Sequence, residues 1–177
     1  MVDTTVPYQI VIFTQRHSIS GGIFLRDLRF SDFINDRRDT NIMLRNANVA
    51  RLENPAKVLE KTQISFVPKS VIVLAFEPPQ KVPQPPQRYI KYPKEKYEVF
   101  FITDGMEVRG YIHMQGTLDL LHVMANPAQS FLPITQATVS IEANPNLLLK
   151  QETVLVNTQY IRFIGEVQIK SPTEPRP

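Results

Sequence analysis

Few residues in this chain could carry chemistry. The histidines are His17, His113 and His122, and their spacing matches no metal-binding pattern such as HExxH. His17 falls in a predicted turn, His113 on the outward face of a predicted strand and His122 in a predicted helix, so each reads as a surface or boundary residue. Asp36 and Asp39 in the segment NDRRDTN sit beside Arg37 and Arg38. That arrangement suits a solvated loop better than a pair of carboxylates poised for acid-base work. The absence of cysteine removes thiolate nucleophiles, disulfides and zinc ribbons together, and fits a cytoplasmic protein. Gly21 and Gly22 are the only adjacent glycines, and no GxGxxG, P-loop or GxSxG motif occurs. The expectation is a protein that is not an enzyme, with no catalytic residue, metal or cofactor.

The remaining chemistry is nucleic-acid binding, which holds single strands on exposed rings flanked by cations. Arg88, Tyr89, Lys91, Tyr92 and Lys94 form one candidate group, and Arg109 with Tyr111, two positions apart on one strand face, form another. The basic excess behind a pI near 9.2 is local: residues 78–96 hold five basic side chains against one acid, whereas residues 97–177 are mildly acidic. A solvated linker accounts for that excess more simply, and a half-buried Tyr111 packed on a short helix is the bland reading of the second group. Pro83, Pro86 and Arg88 also match a PxxPxR ligand pattern, which proline-rich segments meet often by chance.

Hydrophobic residues make up 42% of the 177, enough to bury the core of one ordinary domain or two small ones. Apolar runs such as Val71 to Phe76 are far shorter than a membrane helix needs, and no leader pattern opens the chain. Six of the 15 prolines fall between Pro78 and Pro93. Each fixes φ and removes a donor, so residues 78–96 read as a linker and residues 167–177 as a proline-rich tail.

The segments on either side of the linker read as one domain written twice, 8–77 and 97–166. At an offset of 89, Tyr8 matches Tyr97, Thr14 matches Thr103, Gly21 matches Gly110 and Ile23 matches Ile112. At 90, Leu28 matches Leu118, Ala47 matches Ala137, Val49 matches Val139, Leu59 matches Leu149, and Asn54-Pro55 matches Asn144-Pro145. In the second copy Tyr97 to Thr103 is strand-like, and Asp104-Gly105 supplies a tight hairpin. On the returning strand Val108, Gly110, Ile112 and Met114 alternate with polar or amphipathic neighbours, so one face is buried. Ile19, Gly21, Ile23 and Leu25 take those positions in the first copy. The matched glycines predict a sharp bend or a close backbone approach. A short helix follows, capped by Thr117, carrying Leu120, Val123 and Met124, and stopped at Asn126-Pro127. Phe30, Phe33 and Ile34 are its counterparts in the first copy. A third strand around Ala137 to Ile141, a loop carrying Asn-Pro, and a last hairpin from Thr153 to Ile164 complete the order β-β-α-β-β-β.

These features together, with the final VLVNTQYIRFI, resemble the Sm-like small β-barrel over about 70 residues in each copy. The resemblance implies a mainly β fold of two tandem small antiparallel barrel-like repeats with short helices. It does not carry that family's uridine site across. The loop after the second strand is replaced by the helix, where only Asn35 and Asn126 could stand in. The Arg-Gly pair of the final hairpin is absent from Val67 to Ser70 and from Val156 to Gln159. The segment SDFIN is also similar to one in small uncharacterised bacterial domains, and implies no activity. The reading is therefore a non-enzymatic binding or scaffold protein, with an RNA- or DNA-binding protein and a ligand-binding regulatory protein with a pocket between the repeats as alternatives. The final strands Val71 to Phe76 and Ile161 to Ile164 are apolar and predicted to lie at sheet edges. Self-association or a protein partner is expected to cover them, with no membrane involved.

Overall fold

The computed structural model describes residues 7–25, 28–80, 93–126 and 129–168. The chain is mainly β. Its N-terminal half runs β1 (Tyr8–Phe13), β2 (His17–Ile23), α1 (Phe30–Asn35), β3 (Asn41–Arg51), β4 (Asn54–Pro68), a 3-10 turn (Lys69–Val71) and β5 (Leu74–Phe76). Its C-terminal half runs β6 (Glu95–Thr103), β7 (Met106–Met114), α2 (Leu120–Ala125), β8 (Phe131–Ile141), β9 (Asn144–Asn157), a 3-10 turn (Thr158–Tyr160) and β10 (Ile161–Glu166). Every pairing is antiparallel, in one ten-stranded sheet ordered β10-β6-β7-β8-β9-β5-β1-β2-β3-β4.

Local chemistry explains most of the strand boundaries. β6 and β7 meet in a two-residue turn at Asp104-Gly105, where Gly105 takes φ +81° and Thr103 pairs with Met106. The β2–β3 register skips at Gly21, and Asn46 on β3 stands at φ +49°; the β7–β8 register skips at Gly110, and Gln136 on β8 also stands at φ +49°. Such bulges bend a sheet sharply, and a left-handed residue opposite the gap absorbs the extra length. Glycine is needed there because the strands approach closely. A Cβ on Gly110 would lie 2.6 Å from Ile134 Cγ2 and 2.8 Å from the Thr135 carbonyl, and one on Gly21 would lie 3.3 Å from Ala47 Cα.

Several boundaries and pairings differ from those read in the sequence. Asn54-Pro55 and Asn144-Pro145 are not in loops; each opens a long strand after a two-residue turn, and proline is tolerated at a strand's first residues, where a missing donor costs little. Asp119, not Thr117, caps α2, its carboxylate accepting from the His122 N–H at 2.9 Å. β6 begins at Glu95, two residues inside the segment assigned to the linker. The last two strands of each half do not form a hairpin. The 3-10 turns swing β5 onto β1 and β10 onto β6 instead. Consequently β5, expected at an edge, is interior with β1 and β9 on its two sides, and the sheet ends on β4 and β10.

The core divides in two. One cluster gathers Val99, Phe101, Val108, Ile112, Ile134 and Val139 of the C-terminal half around β6–β9, and it includes Phe13, Leu52, Val73, Leu74 and Phe76 from the N-terminal half. The other gathers Ile10, Ile12, Ile23, Phe30, Ile34 and Leu44 of the N-terminal half, and it includes Phe131 and Leu155 from β8 and β9. Each half thus lends side chains to the other's core.

Candidate functional site

The junction between the halves is a strand pair. Leu74, Ala75 and Phe76 of β5 face Val156, Leu155 and Val154 of β9, and all six are buried. Burying six apolar side chains supplies the drive, at roughly 1.5–3 kcal/mol for each fully buried large side chain. Polar groups fix the register. Asn157 is buried, with its Nδ2 donating to the Ile72 carbonyl at 2.8 Å and its backbone N–H to the Val73 carbonyl at 2.9 Å. Asn35, at the end of α1, accepts from the Phe131 N–H at 2.8 Å and donates to the Phe131 carbonyl at 3.0 Å. Tyr160 Oη donates to the Ser70 carbonyl at 2.7 Å. Gln15 reaches Asp104 across the same boundary, and Arg162 holds both Asp104 oxygens at 2.7 Å. These bonds keep the Asp104 carboxyl below the usual range, the Arg162 contact being the largest cause.

The two ends of the sheet have no strand beyond them among the described residues. Along β4 the exposed apolar side chains are Val58, Leu59, Ile64 and Phe66, the last 67% exposed. On β10, Phe163 is 52% exposed and leans against Phe100, with ring centroids 6.4 Å apart. Unpaired strand edges with large apolar side chains are templates for another chain.

The basic and aromatic residues singled out in the sequence divide between described and undescribed segments. Arg88, Tyr89, Lys91 and Tyr92, with the PxxPxR match, lie outside the described residues. Lys94 is exposed just before β6. Arg109 is paired with Glu98 on β6 at 2.8 Å. The Tyr111 ring is half-buried, and Lys96 places its ammonium 3.8 Å from the ring centroid. His113, next on this exposed face, shares a 2.7 Å hydrogen bond with Thr135. Burial, then the Lys96 and Lys94 charges, hold it below the usual histidine range. The structure therefore brings Lys94, Lys96, Tyr111 and His113 to one side of β6–β7, but the Tyr111 face meets a lysine and Arg109 meets a carboxylate.

Elsewhere the sequence candidates serve the fold. Asp36 is tied to Arg38 at 2.5 Å, and this hydrogen bonding holds its carboxyl at about 2. Lys69 donates to the Phe33 and Asp36 carbonyls at 3.1 and 2.7 Å, satisfying acceptors at the end of α1. Among the described residues no group of His, Asp and Glu could hold a metal, and no helix is long and apolar enough to cross a membrane. Two surface hollows, of about 210 and 300 Å³, each lie within one half: the first is lined by Asn46 and Lys61, the second by Ile102 and Glu142.

Phe66, exposed on the end strand, and Asn157, buried at the junction between the halves, are residues that sequence reading passed over. Phe66 sits in an ordinary alternating strand, and its exposure depends on which strand ends the sheet. Asn157 carried a signal, a polar residue closing an apolar run, but read as a turn. Comparison with protein-family models, curated proteins and solved structures finds no match to this chain.

Proposed function

We propose that this chain is a non-enzymatic protein-binding scaffold, built from two fused copies of one small Sm-like barrel module. Support for the duplication is positional. The element order repeats, the two bulges carry left-handed residues at Asn46 and Gln136, and both halves order their strands last-first-second-third-fourth along the sheet. The observation that carries the binding role is the row of exposed apolar side chains, led by Ile64 and Phe66, on the end strand β4, which has no strand beyond it among the described residues.

The test is site-specific photo-cross-linking in expressing cells, with a benzophenone amino acid at Ile64 or Phe66 and, as a control, at the exposed Arg38. Protein adducts from the two β4 positions and none from Arg38 are expected. Failure to form any protein adduct at either β4 position would sink the reading. The nucleic-acid alternative draws on Lys96 lying over the Tyr111 ring and on Lys94 near His113. It requires labelled RNA or DNA to bind and to weaken steeply between two salt concentrations, and Lys96→Ala to weaken it further.

A further inference from the structure

At the open end of the β6–β7 pair, Lys96 stands directly opposite His113, with Lys94 just beyond the pairing and Tyr111 next on the same face. A lysine in that place repels the charged form of the histidine, an arrangement that costs a sheet stability. The bend of the sheet does not require it. Through the paired registers, Pro7, Gly22, Phe24, Arg45 and Asn46 stand in the N-terminal half where Lys96, Tyr111, His113, Thr135 and Gln136 stand in the C-terminal half. The same bulge, with the same left-handed residue, forms there. Pro7 covers Gly22, where a Cβ would lie 2.5 Å from the Pro7 Cβ, and the Arg45 guanidinium lies over the Phe24 ring at 5.7 Å. From this contrast we infer that Lys96, His113 and Lys94 form a binding site for a tetrahedral oxyanion, the phosphomonoester group of a small molecule. The inference rests on the positional repeat and not on the protein-binding role of β4.

Each cation is positioned and keeps a donor to spare. The Lys96 ammonium donates to the Gln136 carboxamide and lies 3.8 Å from the Tyr111 ring centroid, which fixes its place and leaves further N–H donors. Thr135 donates its hydroxyl to the Tyr111 carbonyl at 3.4 Å, so its oxygen accepts from His113 Nε2 at 2.7 Å. That chain puts the neutral ring's proton on Nε2. Nδ1 has no hydrogen bond among the described residues, and it becomes a donor when the ring takes up a second proton. Because Lys96 already lies over the Tyr111 ring, that face is closed to a nucleobase, which favours a small ligand over a single strand.

The carboxylates around the site are engaged elsewhere. Glu98, on the same face, is paired with Arg109 at 2.8 Å. Glu95 takes the Tyr97 hydroxyl, Glu166 acts on the same Tyr97, and Asp119 caps α2. From β8 and β9 the neighbours are the uncharged Thr135, Gln136 and Thr153. The unbalanced positive field reaches His113, whose charged form is disfavoured first by burial and then by Lys96 and Lys94. An anion seated between these groups offsets the two lysines, so binding and protonation favour each other. A doubly charged oxyanion matches Lys96 and the charged His113, with Lys94 at the margin.

The test follows the His113 Cε1–H resonance of the full chain by NMR through its titration, with sodium sulfate and, at equal ionic strength, with sodium chloride. Sulfate is the first probe because its own charge is constant over this range. It should raise the His113 midpoint saturably, by about one pH unit, the usual effect of an opposite charge a few ångström away. By the same linkage its affinity should tighten about tenfold as His113 charges. Glycerol phosphate should act likewise. His17 and His122 are controls in the same spectrum, and their unchanged resonances show that a variant is folded. Lys96→Gln should abolish the response while His113 still titrates, and Lys94→Gln should reduce it. A midpoint that sulfate leaves where chloride leaves it overturns the inference, as does equal movement of all three histidines or an undiminished response in Lys96→Gln. A response to sulfate without one to glycerol phosphate overturns the assignment of the ligand. An oligonucleotide that moves His113 at concentrations far below those of glycerol phosphate gives the lysines to nucleic acid and overturns it too. Cross-linking at Ile64 and Phe66 is indifferent to all of these, so this inference and the scaffold reading fail separately.

Discussion

Gly21 and Gly110 hold matching bulges but differ in the space around them. Alanine at 110 meets Ile134 Cγ2 and the Thr135 carbonyl below 3 Å, whereas alanine at 21 meets atoms at 3.3 Å. Gly110→Ala should therefore cost about 1–3 kcal/mol, in the range of overpacked cores, and Gly21→Ala clearly less; urea unfolding of both variants decides the order. Equal losses would mean that neither contact matters. Ile23 and Ile112 are both in the core, 1% and 3% exposed, and truncation of either to alanine should cost about 2–5 kcal/mol. His113 gives the pH prediction. Its folded pKa lies below the ordinary 6.5, so the unfolded chain binds the proton more readily. Stability from this group is then present above about 6.5 and is lost as pH falls through the depressed value. Asp36, held at about 2 against an ordinary 3.8, acts in a lower window, stabilising above about 4 and losing that as pH falls toward 2. Urea midpoints should drop in both windows, and His113→Gln should abolish only the upper drop.

At the scale of elements, the two short helices illustrate how one local sequence type meets two tertiary fates. α1 buries Phe30 and Ile34 because β8 lies against it, with Asn35 bridging to Phe131. α2 buries only Val123. Asn35→Ala removes both bonds to Phe131 and leaves its backbone groups half-buried, so a loss of about 1–3 kcal/mol is expected. Hydrogen exchange should show the loss concentrated in α1 and the start of β8; protection unchanged there would show that packing alone holds the helix. Helix existence and spacing were legible in LRFSDFIND and in Leu120, Val123 and Met124, because apolar periodicity is local. The cap at Asp119 in place of Thr117 was not, since both residue types can accept from a helix N-terminus and only backbone geometry chooses.

For the whole molecule, the buried β5–β9 pair and Asn157 argue that the halves form one folding unit through their junction. Residues 1–80 and 93–177 produced as two chains should therefore co-purify, and Asn157→Ala should weaken that complementation by removing the buried amide. Halves that elute separately would show that the junction depends on covalent linkage.

Composition, alternation and punctuation in the sequence by themselves determined a mainly β chain, its strand-strand-helix-strand-strand-strand order and the tight turn at Asp104-Gly105. Those features depend on the conformations of neighbouring residues, and the pattern of a strand face is written every second position. Only the tertiary structure decided that β5 leaves β4 to pair with β1 and β9, and that β4 rather than Val71 to Phe76 ends the sheet. Pairing between strands far apart in sequence is a competition among many similar apolar edges. It is settled by which bulges bend the sheet, which side chains the bend encloses, and where Asn157 finds carbonyls to donate to, none of which is a property of any single segment.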